Sequence, residues 1–424
     1  MIRALAVVAL VAASAPQPLS NARDQLAEYR RQAHAARESG DKDGYLQAAL
    51  KARDLLNNAP LAIESVARAY NEAGNSSQAL ASLTQFAEMG EVDTAMLNGS
   101  DKIFASLAGS PGYKSILDRF VRNSAPVSSA EPALRLSDAG LVAEDIDYDP
   151  GSKSFLITSI LEKKIVRVAA SGAANDFAHS PHQWPMLAIK IDSFRHLVWA
   201  TEVALDGFTA APKSDWGRSA VLCFDLSSGM LLQRVEGPST SALGDMVLAQ
   251  NGDPILSDGN GGGIYRLSHG ALTLINGSDF ISPQTPAALP DPNLILAPDY
   301  LRGIAILDLR NGHVQWLNHD QPPAVALNGA DGLYFHRGSL LLTQNGTSPE
   351  RVIRLQLDPS LSRILSTQII ERATPTLGDP THGVVVGDTF YYIANSGWSE
   401  LDDHGDIKPG ARLTSARIMR FQLR

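Results

Sequence analysis

Leu340-Leu-Leu-Thr-Gln-Asn345 is the stretch on which the reading of this chain turns. Three apolar residues run into a hydroxyl and two amides, the pattern of a buried strand that surfaces at its far end. The same phrase recurs as Phe155-Leu-Ile-Thr-Ser159, His196-Leu-Val-Trp-Ala-Thr-Glu202, Pro254-Ile-Leu-Ser-Asp258, Leu294-Ile-Leu-Ala-Pro-Asp299 and Phe390-Tyr-Tyr-Ile-Ala-Asn395. Each copy is followed by another short apolar run, among them Ile165-Val-Arg-Val168, Ala220-Val-Leu-Cys-Phe224 and Arg351-Val-Ile-Arg-Leu355. Each is preceded by a strand that opens at Glu144, near Met186, or at Asp245, Gln284, Asp331 or His382. The spacing is roughly 40 to 60 residues, the size of a four-stranded blade. The repetition predicts a mainly β fold, a six-bladed β-propeller over residues 132–424.

The last unit ends at Arg424, just after its third strand. Ala133-Leu134-Arg135-Leu136 is a spare strand ahead of the first blade. Pairing it into blade six closes the ring and removes an exposed sheet edge.

Upstream, residues 22–123 change to helical periodicity with a 34-residue repeat. Gly40 and Gly74 each follow a helix and open a turn, Ala33 matches Ala67, Leu46 matches Leu80, and Pro60 stands at the handover. Small residues where helices touch, Gly at a helix end and Pro at a boundary resemble tetratricopeptide repeats. A degenerate third unit runs Asp101-x-x-Phe104-x-x-Leu107-x-x-x-Pro111-x-Tyr113. The segment reads either as a spacer packed on the propeller or as a groove for a protein partner. Residues 124–131 lack periodicity and read as a linker.

The chain begins with Arg3, an apolar run from Ala4 to Ala12 and Ala13-Ser14-Ala15, which reads as a signal peptide over 1–15 and predicts a periplasmic or secreted protein. That run is too short to span a bilayer. Cys223 is the one cysteine, so no internal disulfide forms, and it reads as small apolar filler. The net charge of −9, with no basic stripe, argues against nucleic acid as a partner. There is no G-x-S-x-G, H-E-x-x-H or C-x-x-C, and Gly259-Asn-Gly-Gly-Gly263 lacks the following helix of a phosphate cradle.

Glu144-Asp145-Ile-Asp-Tyr-Asp149, Asp331-Gly332-Leu-Tyr-Phe335 and Asp379-Pro-Thr-His-Gly-Val-Val-Val-Gly-Asp388 resemble motifs of the SMP-30/gluconolactonase/LRE-like superfamily, and the likeness covers about 132–424. The resemblance implies a divalent cation at the top of the channel, held by oxygen ligands from the starts of the innermost strands. Ca²⁺ is the expected ion, with Mg²⁺, Mn²⁺ and Zn²⁺ as alternatives. It implies lactone or ester hydrolysis, the ion polarising the carbonyl and an Asp acting as base. Carried onto this chain, Glu144 and Asp331 match the ligands of blades one and five. Gln284 stands near the blade-four Asn. Gly244 replaces the blade-three Asn, with Asp245 beside it as a substitute. Asp331 and His382 are the candidate catalytic residues, and a related metal-free propeller of the strictosidine-synthase type would use His382 as base.

The ends of the second strands, Glu202, Asp258, Asp299, Asn345 and Asn395, predict a polar, acidic mouth for a small-molecule ligand. Loops 203–218 and 396–415 are the long insertions and carry Trp216 and Trp398 as further candidate contacts. Against the enzyme stands a reading from another class: a non-catalytic binding propeller whose helical repeats dock a partner. The carboxylates and loop tryptophans then serve as turn caps and anchors.

Overall fold

The computed structural model describes residues 21–318 and 324–423. Residues 1–15, expected to be a signal peptide, lie outside the described residues. Two helical hairpins come first. Helix α1 (Ala22–Ser39) pairs with α2 (Lys42–Leu55), and α3 (Pro60–Glu72) with α4 (Ser76–Glu88). Asn21, Asp41 and Asn75 cap α1, α2 and α4 by accepting a backbone N–H, and Pro60 begins α3. Gly40 and Gly74, the repeat markers, adopt φ of 73° and 79° in the turns inside the hairpins. Only glycine takes that left-handed conformation freely.

Ala67 and Ala79 are fully buried where α3 meets α4. The degenerate third unit is the short α5 (Thr94–Asn98), a 3₁₀ turn at Ala105–Leu107 and α6 (Pro111–Asn123). Its Phe104 and Phe120 close the helical core with Phe86 and Leu83.

Six antiparallel sheets follow, and they form a six-bladed β-propeller. The innermost strands are Ala143–Asp149, Met186–Asp192, Leu243–Leu248, Ala287–Ala288, Ala330–His336 and Gly383–Val386. Val, Ile, Leu and aromatic side chains from adjoining blades fill the space between sheets, as in the cluster joining Leu333, Leu342 and Ile353 to Leu296 and Ile304. Glu131–Arg135 is the outer strand of blade six, where Leu134 pairs Ile418 and Arg135 pairs Arg417. The ring is closed by the strand ahead of blade one. Within the expected linker, Val127–Ser128 adds a fifth strand to blade five, Val127 pairing Arg372. Its two residues lack periodicity because the strand is too short to show any.

The helices stand on one rim of the propeller. Val92 N–H donates to the Ser348 carbonyl at 2.7 Å and Arg302 Nε to that of Leu55 at 2.9 Å. Arg351 and Glu91 form a buried ion pair at 3.0 Å. Leu301–Arg302 and Ser348–Arg351 follow the second strands of blades four and five. The long insertions, 205–217 and 394–416 in the structure, follow the second strands of blades two and six, so helices and insertions share one face. Among the described residues no helix is long and apolar enough to cross a membrane.

Candidate functional site at the propeller mouth

Each site residue on an innermost strand sits at a break in register. The pairing shifts between Ala143 and Ile146, between Leu243 and Asp245, and between Ala330 and Gly332. A β-bulge there turns Glu144 and Asp331 out of the ladder and toward the channel, whereas in blade three Gly244 is the bulged residue and Asp245 pairs with Ser257 just after it. Backbone N–H groups freed by such bulges need partners. Thr158 Oγ1 accepts from Asp145 N–H at 2.9 Å and Thr343 Oγ1 from Gly332 N–H at 2.9 Å. The Thr158 hydroxyl then donates to the carbonyl of Leu187 on the next blade, 2.6 Å away. Thr343 does the same to Thr381.

The channel brings Glu144, Asp331 and His382 together, with ligand atoms all within 4.8 Å of one another. His382 is buried, and both its ring nitrogens are engaged: Nδ1 lies 2.8 Å from the Glu144 carbonyl and Nε2 2.8 Å from Asp245 Oδ1. Burial alone would lower its pKa, but the carboxylates of Asp145, Asp245 and Asp331 raise it well above the usual imidazole value. His382 is therefore an imidazolium that donates from both nitrogens. Trp398 Nε1 donates to Glu144 Oε2, and Asn345 Nδ2 to Asp331 Oδ2 at 2.9 Å. Tyr300 hydroxyl in turn donates to Asn345 Oδ1 at 2.9 Å. Burial and the neighbouring Asp331 charge push Glu144 up to about 8. Burial pushes Asp331 up to about 6, with Asp245 adding to the rise and His382 opposing it.

Two residues outside the expected set complete the cluster. Asp145 is buried and accepts from Ile189 N–H at 2.8 Å and from Lys190 Nζ at 2.6 Å. Thr285, next to Gln284, donates its hydroxyl to Asp245 Oδ1. The recurring hydroxyl near the end of the second strands, Thr158, Thr201, Ser257 and Thr343, was the available signal for this second layer.

The structure gives several of the expected contact residues partners within the protein. Gln284 Nε2 donates to the Ser282 hydroxyl and carbonyl in its own loop, at 3.2 and 3.3 Å. The loop is bonded to the second strand of blade four, Gln284 N–H donating to the Pro298 carbonyl at 2.9 Å. Glu202 is fully buried inside blade two on Arg234 Nε at 2.7 Å, His182 Nδ1 at 3.0 Å and the Ser180 hydroxyl. A carboxylate so deep must be paired, and its partners leave it no ligand role. Asp258 accepts from Ala242 and Gly261 N–H groups, and Asp299 from those of Ile281, Ser282, Leu301 and Arg302. Both cap turns. Asn395 ties the Thr414–Arg417 segment. Trp216 donates to the Phe208 and Ala211 carbonyls and anchors its own loop. Of the expected mouth contacts, Asn345 and Trp398 reach the cluster. His382, expected as a base, has no free nitrogen with which to accept a proton.

Cys223 is buried in blade two, and burial pushes its thiol up to about 11, which leaves it inert filler.

No family model matches this chain, and no curated protein matches it either. Similar solved structures include a calcium-binding protein, regucalcin, from Agrobacterium tumefaciens, 17% identical with a TM-score of 0.48 over 70% of this chain and 95% of that one. A gluconolactonase from Xanthomonas campestris is 13% identical, with a TM-score of 0.46 over 70% of this chain and 99% of its own. Virginiamycin B lyase from Staphylococcus aureus is 12% identical, with a TM-score of 0.44 over 69% and 98%. The assignment of this chain as a six-bladed β-propeller, the fold expected from its sequence, stands on its own six sheets.

Proposed function

We propose that this protein is a propeller hydrolase that opens a lactone or ester at the mouth cluster, with a divalent cation held there by Glu144 and Asp331. The convergence of Glu144, Asp331 and His382 within 4.8 Å carries the reading. The donor chemistry fits an ion. Among the described residues, Glu144, Asp145, Asp245 and Asp331 face two cationic partners, His382 and Lys190, so the ionised cluster is short of positive charge. Among the described residues, Glu144 Oε1 and Asp331 Oδ1 accept no hydrogen bond, which leaves each an oxygen to give. Oxygen donors suit a hard cation, Ca²⁺ before Mg²⁺ and Mn²⁺; Zn²⁺ would want the nitrogens that His382 has already committed.

A bound cation would polarise the substrate carbonyl. The chain supplies the rest. Asp331, the carboxylate that faces the reacting carbonyl on this reading, takes a proton from the attacking water. The water oxygen bonds to the carbonyl carbon, the carbon–oxygen bond of the ring or ester breaks, and the departing alkoxide receives that proton from Asp331. His382 keeps its proton throughout and positions the Glu144 backbone and Asp245.

Gly244 at the blade-three position favours a second reading, a recognition propeller without catalysis, because it offers no ligand atom there. The helical groove, of about 310 Å³ between α1, α2, α3 and Leu301, then belongs to a partner protein. We also infer export, on the strength of residues 1–15; cell fractionation of the tagged protein checks it.

Thermal unfolding with added Ca²⁺, Mn²⁺ or Zn²⁺ separates the readings, since a ligand of the folded state alone must raise the melting temperature. Ca²⁺ should raise it more at pH 8 than at pH 6, because below about 8 the ion must displace a proton from Glu144. Glu144→Gln should abolish the response and the hydrolysis of a lactone panel. A wild type indifferent to every ion and inert on every lactone leaves the recognition reading.

A further inference from the structure

We infer that the cleft between the two long loops is the specificity pocket of this site, and that it receives an apolar acyl or alkyl chain attached to the lactone or ester. The inference rests on the hydrolase reading for the reacting end of the ligand, but the pocket makes its own claim about binding.

The cleft holds about 350 Å³, within the range of small-molecule sites. Val203, Ala204, Leu205, Phe208, Ala242 and Trp398 form its apolar walls, and Asp206, Ser241 and Asn260 are its polar lining. Trp398 is the link to the cluster. Its ring stands 5.9 Å from that of Phe208 and forms a wall of the cleft, while its Nε1 donates to Glu144. A ligand lying along the indole is thus one side chain from the carboxylates.

The polar atoms around the cleft are largely committed. Ser241 Oγ lies 2.7 Å from Ser219 Oγ and donates to the Pro238 carbonyl, and the Asn260 amide points to the Thr240 carbonyl at 3.4 Å. A sugar lactone seated here would find one carboxylate, Asp206, and few other partners for its several hydroxyls, at a cost for each one left buried and unpaired. An aliphatic chain loses nothing of that kind and gains burial against the wall.

The two loops hold the pocket in shape. Thr209 N–H donates to the His404 carbonyl at 2.9 Å, and Thr209 Oγ1 to Asp406 Oδ1 at 3.0 Å. The cleft is therefore formed before any ligand enters.

The experiment compares γ-butyrolactone with γ-decanolactone in the full chain, by hydrolysis and by quenching of tryptophan emission. The longer chain should win by about three- to fourfold per buried methylene until the cleft is full. Ala242→Phe, which fills the cleft, should collapse the ratio of kcat/KM for long over short lactone. Leu205→Ala, which enlarges it, should move the preferred chain longer. A cooperative melt of each variant confirms folding, and the opposite directions expected of the two variants separate pocket shape from general damage. Equal hydrolysis of both lactones by the wild type overturns the pocket and leaves the hydrolase standing. Tighter binding of the long lactone, lost in Ala242→Phe, with no hydrolysis of either, keeps the pocket and sinks the hydrolase. No hydrolysis and no chain-length preference in binding sinks both.

Discussion

Trp398 and Glu144 lie 254 positions apart, yet the indole N–H ends on the carboxylate. Burial and the Asp331 charge raise the carboxyl against the pull of that indole N–H. A carboxyl whose folded pKa is raised holds its proton more tightly than the unfolded chain does. Its share of stability is full below about 4.5 and falls as pH rises through about 8. His382 adds a loss of the same sign starting above its unfolded value of 6.5. The cation-free protein should therefore weaken steadily from pH 5 to pH 8, by at most about 1.4 kcal/mol per pH unit per group. Glu144→Gln should flatten the lower part of that fall, as read from urea midpoints. Glu144, Asp331 and His382 were legible because they open strands in a repeating frame. Asp145 was not, since an acid beside Glu144 gives no sign that it will point at Lys190 of the next blade. The partners of Gln284 were not legible either, because an amide at the right spacing looks the same whether its nitrogen faces a channel or its own loop.

At the scale of the element, the bulge and the hydroxyl act together. A bulge frees an N–H on the innermost strand, and Thr158 or Thr343 on the second strand takes it up. Replacing Thr343 with Val keeps the shape and strands the Gly332 N–H. The loss should be about 1 to 3 kcal/mol, with a disproportionate fall in whatever Asp331 does. The lid loops depend on Gly207, whose φ is 87° and whose missing Cβ would stand 3.1 Å from the Asp403 carbonyl. Gly207→Ala should therefore pry the two loops apart: limited proteolysis should cut within 203–218 or 396–415 sooner, while the melting temperature moves little. The strands themselves were plain in the sequence, because apolar runs of fixed spacing report burial directly. The bulges were not, because a register shift leaves no residue type behind.

For the whole molecule, the helices and the ring are fastened by a charge pair taken out of water. Glu91 and Arg351 are almost wholly buried, and Arg351 also reaches Gln344 Oε1 at 2.9 Å. Breaking the pair leaves an uncompensated buried charge. Glu91→Ala should cost about 3 to 5 kcal/mol in chemical denaturation, whereas joint replacement by Leu and Met should recover most of it.

The sequence by itself determined the number of blades, the strand that closes the ring and the helical hairpins ahead of it. Those follow from periodicity, which is local, and from edges that must be covered. Only the tertiary structure decided which polar residues meet. Glu202, Asp258 and Asp299 look like Asn345 in the sequence, but three are consumed by Arg234 or by turn N–H groups and one reaches Asp331. A buried polar atom goes to the partner that the packing brings within about 3 Å, and that partner is set by the neighbouring blade and not by the strand that carries the atom.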